Sequence, residues 1–156
     1  MLEIDIPGFG AVCLAHLVSD YNGTLAVDGR LLPEVKDRLL NLAEFVKIHV
    51  VTADTCGLVR QEMEGMPCLI HILMGENQDA QKEAYVEKLG PEQVAAFGNG
   101  KNDRRMLETA RLGIAVTEGE GCAVEAILAA DIHVRSAAEG LDLLLHTQRC
   151  KATLRL

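Results

Sequence analysis

The stretch LVSDYNGTL, residues 17–25, carries the reading of the fold. An apolar run from Val12 to Val18 breaks off there at Asp20, and a Gly23-Thr24 turn follows. A carboxylate at the end of a buried strand, on a tight glycine turn, is where open α/β sheets place reactive groups. The rest of the chain is read outward from that point.

Downstream of it, short β-rich runs alternate with segments of helical periodicity, the pattern of βαβ units around a parallel sheet. Strands are predicted at 12–19, 48–52, 69–73, 94–97, 113–116 and 132–134, and helices at 33–46, 57–64, 80–89, 103–110, 122–129 and 137–145. In the first helix Val35, Leu39, Leu42, Ala43 and Val46 recur at helical spacing, which turns one face to the sheet, and Pro33 suits its first turn. Ser136 and Glu139 form the S-x-x-E capping arrangement, and Thr55 is placed to cap the second helix. Upstream, LEIDI followed by Pro7 and Gly8 predicts an edge strand and a turn. Asp28-Gly29 predicts a small hairpin between Leu25 and Leu32. The chain has no internal repeat, low-complexity stretch or linker, so residues 1–156 are expected to form a single domain.

Three further polar islands follow apolar runs: Thr52 in HVVTADT, Lys82 in DAQKEAYVEKL, and the cluster GNGKND at 98–103. In a right-handed parallel sheet the carboxyl ends of the strands share one edge, so Asp20, Thr52 and Asn99 to Asp103 converge there. Lys82, at the start of the following helix, reaches the same edge. This set suits phosphoryl chemistry. An aspartate can attack phosphorus to form an acyl phosphate, dividing one displacement into two easier ones. Its charge then calls for a hard divalent cation, Mg²⁺, held by oxygens of Asp20, Asn22 (through its carbonyl), Asn99 and Asp103. The Thr52 hydroxyl and the N–H groups of Gly23 and Thr24 are candidates to bond phosphoryl oxygens, and Lys82 to offset charge. Ala53, beside Thr52, and Asn102, within the late cluster, complete the candidate substrate contacts.

The ordered set DYNGTL, TAD, a lysine and GNGKND resembles the haloacid dehalogenase (HAD) superfamily of phosphotransferases over residues 14–145. Within it, DAQKEAYVEKL, FGNGKNDRRMLETARLGIAV and AVEAILAADIHV are similar to the phosphorylation domain of P-type cation-transporting ATPases. The resemblance implies a three-layer Rossmann-like parallel sheet with helices on both faces and a minimal cap. It also implies Asp20 as nucleophile, Thr52 and Lys82 on the phosphoryl group, and Asn99 with Asp103 at Mg²⁺. The segment between Asp20 and Thr52 is too short for an inserted nucleotide-binding domain, so the chain is not read as a pump. Two positions depart from the pattern. Asn22 stands where phosphatases of the superfamily carry a second aspartate as general acid and base, and Asn99 stands where relatives carry aspartate. An amide cannot shuttle a proton, and such groups are worth roughly a hundred- to ten-thousandfold in rate. Slow turnover and a weakened Mg²⁺ site follow.

Composition narrows the partners. With 49% apolar residues and a net charge of -8, the chain is expected to fold around a core and to bind neither nucleic acid nor an anionic membrane surface. No apolar run is long enough to span a bilayer, and no basic segment leads into an apolar one, so a cytoplasmic protein is expected. Cys13, Cys56, Cys68, Cys122 and Cys150 are odd in number and widely spaced, which suits neither a disulfide framework nor a zinc site. Cys56 lies closest to the candidate site. The five histidines, 16, 49, 71, 133 and 146, lack metal-site spacing and read as structural. Asp54 and Asn102 are alternative helix caps, and Arg104 and Arg105 a solvated face.

The leading expectation is a Mg²⁺-dependent phosphatase or phosphotransferase acting on a small phosphorylated substrate through an aspartyl phosphate on Asp20. The alternative is a catalytically weak regulatory or binding domain that holds phosphate, a nucleotide or a protein partner. A two-component receiver ranks below both, because receivers place the acceptor aspartate on the third strand. A homo-oligomer would cover an open site, with Leu2 to Ile6 and Ala152 to Leu156 as candidate contacts.

Overall fold

The computed structural model describes residues 1–54 and 57–156. Its centre is a six-stranded sheet in which every neighbouring pair is parallel. Two short strands, β1 (Leu2–Ile6) and β2 (Gly10–Leu14), precede it as an antiparallel hairpin. The sheet strands are β3 (His16–Ser19), β6 (Lys47–Thr52), β7 (Cys68–Ile72), β8 (Val94–Gly98), β9 (Leu112–Val116) and β10 (Ile132–Val134), in spatial order β10-β9-β8-β3-β6-β7. Between β3 and β6 lies a second small hairpin, β4 (Ala26–Val27) with β5 (Arg30–Leu31). The helices are α1 (Pro33–Leu42), α2 (Val59–Glu62), α3 (Gln78–Leu89), α4 (Arg104–Thr109), α5 (Val124–Ala129), α6 (Ala137–Leu145) and α7 (Thr147–Leu154).

Alternation along the strands builds two cores. Leu17, Ile48, Val50, Ala95, Phe97 and Ile114 point to one face, where they meet Val35 and Leu39 of α1 and Leu141 and Leu144 of α6. Val18, Val51, Val94 and Ala96 point to the other, against Val86 of α3, Met106 and Leu107 of α4 and Ala126 of α5. Period-two alternation on a sheet covered by helices on both faces gives near-continuous apolar strands, and β8 and β9 are buried at every position.

The predicted strand at 12–19 is two strands. At Ala15 the chain leaves the β1–β2 hairpin for the sheet; its N–H donates to Gln93 O at 2.9 Å and its carbonyl accepts from Lys47 N at 2.9 Å. Apolar periodicity continues unbroken through Ala15, so only the change of hydrogen-bond partner marks the boundary. Leu2, Ile4 and Ile6 are buried within their own chain, which corrects the expectation that this segment serves contacts between copies. In the tail, Leu154 packs on the first core while Leu156 is exposed. The β4–β5 turn is as predicted, with Asp28 at φ 51° and Gly29 at φ 77°, the left-handed pair that a two-residue hairpin requires. Tyr21 pins it by donating its hydroxyl to Gly29 O at 3.1 Å. Ser136 caps α6, accepting from Glu139 N at 3.1 Å. Thr55, the expected cap, and Cys56, the cysteine nearest the candidate site, lie outside the described residues. No helix among the described residues is long and apolar enough to cross a membrane.

Candidate active site

Sheet order reverses at β3: the chain runs from β3 to β6 on one side and returns to β8 on the other. A crevice opens at such a switch point, beyond the carboxyl ends of the strands. Asp20 follows β3 and residues 99–103 follow β8, so both flank it, and Asp20 N donates to Phe97 O at 2.9 Å to bind the two strand ends together.

Lys82 links them. Its ammonium, fully buried on α3, donates to Asp20 Oδ1 at 2.7 Å and to Asp103 Oδ1 at 2.6 Å. Asp20 is 7% exposed and Asp103 is fully enclosed. Asp103 Oδ2 also accepts from the backbone N–H of Asn99 at 3.0 Å and of Gly100 at 2.8 Å. That approach explains Gly98: a Cβ there would lie 2.5 Å from Asp103 Cβ. Burial pushes the Asp20 carboxyl up to about 6, with the Asp103 charge adding to the rise and Lys82 opposing it. Burial disfavours the charge on Lys82, but the two carboxylates outweigh it and hold the ammonium protonated.

On the other side of Asp20, the Thr24 hydroxyl lies 3.4 Å from Asp20 Oδ2 and 3.2 Å from Asn99 Oδ1. The Thr24 and Gly23 N–H groups do not face the crevice. They donate to Tyr21 O at 3.2 Å and Ala26 O at 2.7 Å, which closes the turn and corrects their assignment as phosphoryl donors. Thr24 reaches the site through its hydroxyl alone. Gly23 matters for space: at φ 80° it lies so close to Asn99 that any Cβ would overlap the amide.

Thr52 ends β6, buried, and its Oγ accepts from Asp54 N at 3.1 Å, which leaves the hydroxyl proton to donate elsewhere. Ala53 follows it, half-buried. Asp54 takes the capping alternative: its Oδ1 accepts from Leu58 N and Val59 N, both at 3.1 Å. Asn102 does not cap α4; its amide donates to Gln78 Oε1 at 3.3 Å and lines a surface depression of about 590 Å³ with Gly75, Glu76, Asn77, Asp79 and Lys101. Arg105 is no merely solvated face, since it pairs with Asp79 and Glu83 and ties α4 to α3.

Asn22 Oδ1 is buried with no hydrogen-bond donor on it among the described residues. A desolvated acceptor in that condition costs roughly 1–3 kcal/mol, and a donor or cation arriving there recovers it. Together with the Asp20 carboxylate and the Asn99 Oδ1, it would offer the hard oxygen set that Mg²⁺ takes alongside several waters. Asp103 has three donors on its four lone-pair sites and keeps only one for a cation. The residues fit the ion, with Asp103 more a scaffold than a ligand.

Residues 77–140 match the family model described as haloacid dehalogenase-like hydrolase. The chain belongs to the haloacid dehalogenase-like hydrolases. An uncharacterized protein of Methanocaldococcus jannaschii, MJ0073, is 47% identical over 62 residues, 40% of this chain and 67% of its own. The fold is also that of 3-deoxy-D-manno-octulosonate 8-phosphate phosphatase from Moraxella catarrhalis, solved with magnesium, phosphate and the sugar acid, at TM-score 0.71 and 17% identity over 89% of this chain and 90% of that one. The cobalt-bound phosphatase from Haemophilus influenzae superposes with TM-score 0.71 at 15% identity over 92% and 94% of the two chains. The parallel sheet, the helices on both faces and the small hairpin between β3 and β6 agree with the Rossmann-like, minimal-cap fold expected from sequence.

Proposed function

We propose that this HAD-like hydrolase is a Mg²⁺-dependent phosphatase that forms an aspartyl phosphate on Asp20 and turns it over slowly. The observation that carries the reading is the buried Asp20–Lys82–Asp103 bridge at the carboxyl edge of the sheet. The oxygens of Asp20, Asn22 and Asn99, with Asp103 offering its one remaining site, would hold Mg²⁺, which would supply charge neutralisation for an anionic substrate. Everything else falls to the side chains. Lys82 fixes Oδ1 and leaves Oδ2 as the freer oxygen to attack phosphorus. The new P–O bond forms as the bond to the leaving oxygen breaks, and that oxygen takes the electron pair. Thr52 donates its hydroxyl proton to a phosphoryl oxygen, and Lys82 balances the charge gathering there. Water then attacks phosphorus, the acyl P–O bond breaks, and phosphate and a proton leave.

Asn22 neither gives the first proton nor takes the last. Leaving oxygens that depart unprotonated, such as those of acyl phosphates and aryl phosphates, are therefore favoured, and the aspartyl phosphate persists. The similarity of residues 79–134 to the phosphorylation domain of P-type ATPases fits the same reading, since an intermediate of that kind must endure there. Sugar phosphates, on which the superposing phosphatases act, are a second substrate class; the depression beside Asn102 is lined by amides and charges and by no aromatic that would stack a base.

The test is to incubate the protein with Mg²⁺ and acetyl phosphate, and to quantify released phosphate and covalent adduct together. Adduct and Mg²⁺-dependent release, both lost in Asp20→Asn, are expected. Equal release by wild type and Asp20→Asn refutes the proposal. The two amides, Asn22 and Asn99, favour a second reading as a phosphate-holding regulatory domain; binding of phosphate with neither adduct nor release would select it.

A further inference from the structure

Asn99 is the position where an aspartate would be expected to serve the cation, and the structure uses its amide differently. Its Nδ2 donates to Gly121 O at 3.0 Å, its own carbonyl accepts from Ala123 N at 2.7 Å, and its Oδ1 accepts from the Thr24 hydroxyl at 3.2 Å. Three segments meet on this one side chain and its backbone: the turn after β3, the loop after β8, and the loop 117–123 between β9 and α5. That last loop also touches the β4–β5 hairpin, where a Cβ on Gly119 would come 3.3 Å from Val27. Gly23 packs directly against the amide, with no room between them for a Cβ.

We infer that Asn99 is a positioning residue whose amide clamps loop 117–123 to the nucleophile turn, and that asparagine is required there because one group must both donate and accept. A carboxylate could still accept from Thr24. It could not donate to Gly121, and would set its negative oxygen against the Gly121 carbonyl oxygen. The inference deepens the proposed function by assigning this position a geometric task, holding the Thr24 hydroxyl beside Asp20, in place of a lost metal charge. The two amides of the site then differ in kind. Asn22 Oδ1 has no donor among the described residues. Asn99 has both ends of its amide engaged.

The experiment compares wild type with Asn99→Asp and Asn99→Ala by hydrogen exchange in chelator, without metal or substrate, so that its outcome does not depend on whether the protein is a phosphatase. Loss of one buried hydrogen bond is expected to lower protection of the Ala123 amide and its neighbours by about tenfold or more in both variants, while strands β8 and β9 keep theirs. Steady-state release from acetyl phosphate is the second readout. In Asn99→Asp, kcat/KM is expected to fall, although a carboxylate has been added to the cation site. Unchanged protection of 117–123 in Asn99→Asp overturns the inference. So does tighter Mg²⁺ binding accompanied by faster turnover, which is what restoring a mere metal ligand would give. Absence of phosphate release from every form, with the exchange result as expected, leaves the clamp standing and overturns only the phosphatase reading.

Discussion

Lys82→Met tests the centre of the site. Methionine approximates the length of lysine and removes only its charge, so the change leaves Asp20 and Asp103 facing each other, buried, without the ammonium that bridges them at 2.7 and 2.6 Å. Removing one partner of a buried ion pair costs about 3–5 kcal/mol, because the remaining charge stays desolvated and unpaired. Taking about 4 kcal/mol, and about 2–4 °C per kcal/mol for a chain of this size, the midpoint of thermal unfolding should fall by about 8–16 °C at pH 7. The loss must depend on pH. Burial already holds Asp20 up to about 6 with Lys82 opposing the rise, so without Lys82 it titrates higher still, and between the 3.8 of an unconstrained aspartate and that folded pKa the native state holds more protons than the unfolded one. Stability of the variant therefore falls as pH rises through that window, and its deficit against wild type should shrink as pH is lowered toward about 4. Unfolding is followed by circular dichroism in chelator at pH 5 and 7, so that no divalent cation substitutes for the ammonium. A deficit under about 1 kcal/mol, or one equal at both pH values, would refute the charge argument and leave only a packing change.

Three other outcomes follow from the geometry. Asn22→Asp supplies the absent proton carrier and should raise phosphate release from acetyl phosphate by roughly a hundred- to ten-thousandfold while lowering the steady-state adduct, measured by acid quench. Gly98→Ala would force Asp103 away from a Cβ 2.5 Å distant and should cost about 1–3 kcal/mol in urea unfolding, with loss of Mg²⁺-dependent release. Acid should weaken the fold through His49, which burial, then His16 and Lys47, hold down to about 4; it contacts His16 of β3 at 3.0 Å and Tyr85 of α3 at 2.9 Å, with the His71 ring of β7 against Tyr85. Below 6.5 the unfolded chain takes up a proton that the native state refuses until about 4, so stability should drop by up to about 3 kcal/mol as pH falls through that range, and His49→Gln should flatten the drop in urea unfolding.

The βαβ alternation was legible because each strand and helix carries its own periodicity. The 132–134 strand and the 137–145 helix have the predicted bounds, and the other sheet elements differ mainly at their ends, where fraying and tight turns leave little compositional mark. What periodicity does not encode is a change of partner. Residues 12–19 alternate smoothly while passing from a hairpin into the sheet at Ala15. Helix α7 gave no signal because TQRCKATL buries only Cys150 fully, too little to make an apolar stripe. In the site, the convergence of Asp20, Lys82 and residues 99–103 was readable from strand order. The saturation of Asp103 by backbone N–H groups, the closed turn that uses the Gly23 and Thr24 amides, and the reach of Asn99 to Gly121 were not. Each depends on a backbone atom, and backbone atoms have no letter in the sequence.

The charge of the site bears on the phosphoenzyme proposed above. Asp20, Asp103 and Lys82 together carry one net negative charge in a buried volume. Mg²⁺ would bring that to one positive, and the acyl phosphate on Asp20, which exchanges one carboxylate charge for two phosphoryl charges, would leave it neutral. With aspartates at 22 and 99 the same phosphorylated site would carry two negative charges, and repulsion in a low-dielectric crevice would help drive phosphate out. The two amides therefore act on opposite ends of the cycle: less repulsion favours retention of the phosphoryl group, and the absent general base at 22 slows its hydrolysis. Of the two, only the second is a loss of chemistry. On the proposed reading, a site with Asp20 as nucleophile, a buried ammonium beside it and less charge around the product would be better suited to holding an aspartyl phosphate than to discharging it.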